Sequence, residues 1–223
     1  RSIQDGLVTP RAVLTGAFIC FGIAVLIGVF LTYARGPGVL YIGMFGVLTG
    51  YFYTAAPFRL GYRGWGEIIV GLDCGPLVVL GAYYVQARTF SPEVLVASIP
   101  IGLLITAILY VNQFSDYEAD KAAGKENLIV KLGPKRAIYG YYALLAATYL
   151  TVVFGCVFRA LPWASLAALL AAPVALFTAR SAGKNYLSLS GEKMTPAMAG
   201  TIVTHLSTGL LLTGSFLAAR AFG

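Results

Sequence analysis

Apolar residues in this chain fall into long unbroken runs, separated by short polar segments. Seven runs approach the length needed for a crossing: about Ala12–Tyr33, Val39–Ala56, Glu67–Gln86, Glu93–Gln113, Ala137–Phe158, Pro162–Thr178 and Ala199–Ala219. A bilayer core of about 30 Å is crossed by about 20 apolar helical residues. The strict alternation of an outer-membrane barrel strand is absent from these runs. The pattern predicts an all-α fold, a polytopic transmembrane helical bundle with seven spans, in one domain over residues 1–223. No internal or inverted repeat of the kind found in transporters stands out.

Composition sharpens this. Hydrophobic residues make up 58% of the 223 and charged residues 11%, against about 25% charged in a soluble domain. A soluble enzyme would lack the polar surface it needs, and a disordered chain would need the opposite balance. The formal net charge is +7. In a membrane protein that charge points to anionic lipid and anionic substrates rather than nucleic acid. The three cysteines, Cys20, Cys74 and Cys156, lie singly in apolar runs and imply no disulfide framework.

Seven spans sort the sixteen Lys and Arg residues onto two sides. Arg1, Arg11, Arg59, Arg63, Lys121, Lys125, Lys131, Lys135, Arg136, Arg180, Lys184 and Lys193 share one side, leaving Arg35, Arg88, Arg159 and Arg220 on the other. The positive-inside rule predicts that the richer side is cytoplasmic, as in a prokaryotic inner membrane. Polar chemistry gathers there in two loops, residues 57–66 and 114–136. A third segment, residues 180–196, is rich in Ser, Gly and Lys and reads as a mobile loop.

Asn112, Asp116 and Asp120 recur every four residues at the end of the fourth run. Four residues of α-helix turn about 400°, so a continuing helix would carry all three on one face with a drift of about 40° per step. Stacked acids repel unless a positive charge offsets them. Mg²⁺ suits such oxygens and typically shares one or two carboxylates with substrate phosphates. A plainer alternative is a helix end paired with Lys121 and Lys125. The membrane setting favours a functional cluster. Asp73, inside the third run, and His205, the only histidine, are the other polar residues that draw notice.

Here the sequence resembles a known family. Asn112-x-x-x-Asp116-x-x-x-Asp120-Lys121-Ala122-Ala123-Gly124-Lys125, with Leu132-Gly133 after it, is similar to the second Asp-rich motif of the UbiA-type intramembrane prenyltransferases. The nearest resemblance is to the MenA-like branch, which prenylates 1,4-dihydroxy-2-naphthoate. Tyr53-Thr54-Ala55-Ala56-Pro57, Gly61-Tyr62 and Gly66-Glu67 resemble that branch's earlier loop, and Gly75-Pro76 with Gly81-Ala82-Tyr83-Tyr84-Val85-Gln86 resembles its next helix. The resemblance implies nine helices, and two Asp-rich motifs binding Mg²⁺ that holds the diphosphate of a polyprenyl donor. It also implies attack of the resulting allylic cation on an aromatic acceptor, with loss of the ring carboxylate in this branch. The first Asp-rich motif is not in the sequence, and residues 1–9 resemble the segment just after it. The chain, which starts without Met, is therefore read as lacking two helices and half of the metal site.

The roles implied are residue-specific. Asp116 and Asp120 would ligate Mg²⁺, with Asn112 as a neutral oxygen ligand or orienter of a metal-bound water. Arg59, Arg63 and Lys125, and less so Lys121, would bind the diphosphate. Tyr53 and Tyr62, with Tyr83, Tyr84 and Tyr110 nearby, would offer aromatic faces to a cation. Two rivals differ in class or substrate: a UbiA-type enzyme with 4-hydroxybenzoate, homogentisate or a chlorophyllide as acceptor, and a transporter or ion pathway using Asp73, Asn112 and Asp116.

Overall fold

In lipid, backbone N–H and C=O groups have no water to bond, so a crossing segment must satisfy them within itself. The computed structural model describes residues 6–222, and the apolar runs are helical throughout. Residues 1–5, which hold Arg1 and part of the segment expected to follow the first Asp-rich motif, lie outside the described residues. Helices α1 (Pro10–Arg35) and α2 (Gly38–Thr54) form a hairpin. The third span is α3 (Gly66–Leu72), a π-helical turn (Asp73–Leu77) and α4 (Val78–Ala87). Next come α5 (Pro92–Ala122), the short α6 (Leu128–Leu132) and α7 (Pro134–Val157). A 3₁₀ segment (Trp163–Ala171) leads into α8 (Ala172–Asn185), and α9 (Gly191–Phe222) closes the chain. Among the described residues, six helical segments are long and apolar enough to cross a membrane, and α2 is a shorter apolar helix beside them.

Helix α5 forms the axis of the fold, packing against α3, α7 and α9. Leu104, Ala107, Tyr110, Val111 and Phe114 from α5 pack with Ile129 of α6, Ile138 and Tyr141 of α7, and Met194 and Ala197 of α9. A smaller cluster of Val152, Ala168 and Leu212 fills the bundle elsewhere. Helix α1 contributes no buried residue and turns its apolar side chains outward.

Glycines bring the third span and α5 backbone to backbone. A Cβ on Gly75 would lie 2.3 Å from the Gly102 Cα, and one on Gly102 would lie 2.6 Å from the Gly71 carbonyl oxygen. Small residues let membrane helices approach backbone to backbone where no hydrophobic force separates helix from lipid. Pro76 sits at this contact inside the π turn. Proline cannot donate the helix bond, and the widened turn accommodates its ring. This contact sets the height of α3, and thus of Glu67, against α5.

The condition for the acids to share a face is met: α5 continues beyond the apolar run as one helix to Ala122 and carries the acidic motif on a rigid rod, so the loop expected from residue 114 starts only after it. A second expectation is corrected. The segment 180–196 is not a loop. Helix α8 runs to Asn185, a 3₁₀ turn covers Tyr186–Ser188, and α9 begins at Gly191. Ala182, Met194 and Ala197 are fully buried, so core packing overrides the weak helix preference of the Ser and Gly residues there.

Candidate functional site

The continuity of α5 decides the geometry of the acids. Asn112, Asp116 and Asp120 stand on one face, stacked at about 6 Å per turn-like step of four residues. Asn112 and Asp120 are therefore about 12 Å apart along the axis, too far to share one ion at Mg–O distances of about 2.1 Å. Asp116 lies between them and can pair with either.

Each residue finds a different environment. Asp116 is exposed and, among the described residues, makes no ion pair. Asp120 is mostly buried, and its Oδ2 accepts from Lys125 Nζ at 3.1 Å and from Asn127 Nδ2 at 2.7 Å. Asn112 donates from Nδ2 to the Ile108 carbonyl one turn back, at 2.8 Å, which leaves its amide oxygen for another partner. Lys121 is exposed and lies over the Tyr117 ring, 5.8 Å from its centroid.

The chain reverses after α5 at Gly124, where φ is +68°. Asn127 then caps α6, its Oδ1 accepting from Val130 N–H at 2.9 Å. Ile129 is fully buried and seats α6 in the core. The loop of residues 123–133 is thus held from both ends.

The earlier loop is joined to it. Glu126 N–H donates to the Tyr62 carbonyl at 2.9 Å, and Lys131 Nζ donates to the Arg63 carbonyl at 2.6 Å. Gly64, with φ at +79°, lets the backbones approach: a Cβ there would sit 3.3 Å from the Glu126 carbonyl oxygen. Tyr53 lays its ring over Gly61 and Gly66, whose missing side chains make room for it. Its phenol lies within electrostatic reach of Lys125, Glu67 and Asp120. The side chains of Arg59, Tyr62 and Arg63 are exposed at the rim, and Arg59 holds a left-handed backbone with φ at 45°.

The fold thus pairs Asp120 with Lys125, brings the Tyr53 phenol within electrostatic reach of both, and leaves Asp116 one turn back on the same helix face. It holds Tyr62 and Arg63 against the second loop by their main chains. Lys121 is turned to Tyr117, and Asn112 lies two turns deeper. Asp73 sits in the π turn of the third span, its Oδ1 buried without a hydrogen-bond partner.

Two residues at the centre, Glu67 and Asn127, have no role assigned by the sequence, although Glu67 lies in the Gly66-Glu67 resemblance. Glu67 is 1% exposed. Its Oε1 accepts from Leu128 N–H at 3.0 Å, its Oε2 is buried without a partner, and its carbonyl accepts from Thr106 Oγ1 at 3.2 Å. Asn127 is fully buried. The available hints were an acid at the head of an apolar run and an Asn three residues before Val130, a capping position.

The description "UbiA prenyltransferase family" matches residues 1–188. The chain belongs to this family. A 1,4-dihydroxy-2-naphthoate octaprenyltransferase of Mycobacterium tuberculosis is 33% identical over 224 residues, covering 100% of this chain and 73% of that protein. One of the same description from Bacillus subtilis is 31% identical over 206 residues, covering 92% of this chain and 65% of its own length. A 2-carboxy-1,4-naphthoquinone phytyltransferase of Synechocystis is 31% identical over 170 residues, covering 76% of this chain and 55% of that protein. The chain thus spans between 55% and 73% of the length of these curated relatives. As a member of the UbiA family it is a membrane prenyltransferase by descent, and the motif-bearing loops described above fall inside the matched region.

Proposed function

We propose that the protein to which this chain belongs transfers a polyprenyl group from an allylic diphosphate to an aromatic quinone precursor, 1,4-dihydroxy-2-naphthoate, in menaquinone synthesis. The observation that carries this reading is the naming of the relatives: the three compared above all prenylate a naphthalene ring system by description. The Asp120–Lys125 pair, with the Tyr53 phenol within electrostatic reach and Asp116 one turn back, supports it with a place for the diphosphate.

The donor set fits Mg²⁺. Asp116 and Asp120 offer two hard carboxylate donors one turn apart on α5, a set that is complete only with oxygens from a substrate phosphate or water. A pair of carboxylates plus substrate phosphates is the usual Mg²⁺ arrangement. Asp116 and Asp120 would hold Mg²⁺, and Asn112, too far from Asp120 to join the same ion, would serve only through Asp116 or a bound water; the metal would supply a template and Lewis acid for the departing diphosphate.

The chain's own residues do the rest. Lys125 stands on the Asp120 carboxylate and is placed to exchange that partner for a diphosphate oxygen. Arg59 and Arg63 add positive charge at the rim. The C–O bond of the donor breaks with its electron pair leaving on the diphosphate, and the allylic carbon forms a new C–C bond to the ring. The ring position gives up its carboxylate as CO₂. Tyr53 presents an aromatic face near the positive carbon, a contact worth about 0.5–2 kcal/mol. The long prenyl tail stays in lipid throughout, so it never enters water. The loops face the cytoplasm in this reading, and the membrane is a prokaryotic inner membrane.

The test is turnover by the purified protein with Mg²⁺, a polyprenyl diphosphate and a panel of aromatic acceptors. Dihydroxynaphthoate is expected to be prenylated and 4-hydroxybenzoate and homogentisate not. Asp116→Ala is expected to abolish product while the protein still folds. Wild-type turnover by that variant would remove the metal role.

A further inference from the structure

Asp120 is not oriented by its own helix alone. Both of its hydrogen bonds land on Oδ2, one from Lys125 and one from Asn127, which leaves Oδ1 for a ligand. Asn127 uses both ends of its amide: the oxygen caps α6 and the nitrogen reaches Asp120. Capping alone would be served as well by Ser, Thr or Asp. An amide carries its acceptor and its donor on separate atoms, so Asn127 can cap the helix with one end while the other reaches across to the carboxylate; a hydroxyl has a single, shorter-reaching oxygen for both. The next residue, Leu128, gives its N–H to the buried Glu67. A relay therefore runs from Glu67 through the Asn127–Leu128 peptide to Asp120, joining α3 to the acidic end of α5 across the short α6.

We infer that Asn127 and Glu67 are positioning residues for the diphosphate site, holding the Asp120 carboxylate so that one oxygen faces the metal. This deepens the prenyl-transfer reading and rests on it. Outer partners that orient a metal ligand are worth about 10–100-fold in metal affinity. The relay also accounts for a glutamate buried with only one oxygen bonded to the protein: its bonded oxygen tethers the loop that carries Asn127.

The experiment measures binding of inorganic pyrophosphate with Mg²⁺ by calorimetry, on the purified protein in detergent, together with its unfolding temperature. Asn127→Ser keeps a capping oxygen but lacks the Nδ2 atom that reaches Asp120, and its shorter hydroxyl stays at the cap. It is expected to weaken binding by about tenfold or more with little change in unfolding temperature. Glu67→Gln retains a carbonyl for Leu128 N–H and is expected to bind like wild type, whereas Glu67→Ala binds as weakly as Asn127→Ser. If wild type binds and Asn127→Ser binds equally well, the relay is overturned while the prenyl-transfer reading stands. If wild type itself does not bind, both fall. Should Asn127→Ser unfold early, the Glu67 pair decides: equal affinity in Glu67→Ala and Glu67→Gln overturns the relay.

Discussion

At the scale of single residues, Asp116 and Asp120 share a helix face but differ in what their removal would do. Asp116 is exposed and, among the described residues, makes no ion pair, so Asp116→Ala is expected to leave the unfolding temperature unchanged. Asp120→Ala would strand the buried Asn127 amide and free Lys125, a loss of about 1–3 kcal/mol for an unsatisfied buried donor. Thermal unfolding of the two variants in detergent checks the contrast. A second residue-scale case lies in the core, where the Tyr141 hydroxyl meets Thr201 Oγ1 at 2.7 Å. Thr201 also donates to the Ala197 carbonyl, so Tyr141→Phe leaves it satisfied. The cost is expected near the membrane average of about 0.6 kcal/mol, measured by the same assay. The spacing of four made Asp116 and Asp120 readable from sequence, and Lys125 lay five residues on. Glu67 and Leu128 are 61 residues apart, and no local period connects them.

At the scale of elements, the continuation of α5 to Ala122 matters most, because a rigid rod keeps the acids in register where a loop would let them drift. That rod is held against the third span by the Gly75–Gly102 contact. A Cβ on Gly75 meets backbone at 2.3 Å, and backbone cannot step aside. Gly75→Ala is expected to push α3 and α5 apart and destabilise the protein by about 1–3 kcal/mol, the usual range for overpacking. Gly209→Ala is the control, since its Cβ would meet only Ile101 Cδ1 at 3.6 Å. It should be neutral, or stabilising by up to about 1 kcal/mol from helix propensity. Unfolding of both variants separates packing from propensity. Apolar runs revealed where these helices are. They did not reveal that helix fills most of 180–196, because burial of Met194 and Ala197 comes from contacts with other elements.

At the scale of the whole molecule, the order of spans predicts which loops share a side of the membrane. Thr89 and Lys135 are both exposed, with the long α5 between them. A single crossing puts them on opposite faces of the bilayer. In a background without Cys20, Cys74 and Cys156, Thr89→Cys is expected to react with an impermeant thiol reagent added outside intact cells. Lys135→Cys is expected to react only after the membrane is opened. Reaction of both from one side would break the span order and the twelve-to-four charge distribution built on it.

Hydropathy over about 20 residues determined the helical bundle by itself, because lipid forces each crossing segment to bond its own backbone. The spacing of Asn112, Asp116 and Asp120 likewise determined which acids share a face, since 3.6 residues per turn is a property of the backbone. What only the tertiary structure decided is which groups meet across the chain: Glu67 with Leu128, Tyr62 with Glu126, Gly75 with Gly102. Those contacts depend on how far two helices slide along each other before their backbones touch, and that distance is set by packing in three dimensions rather than by any local pattern of residues.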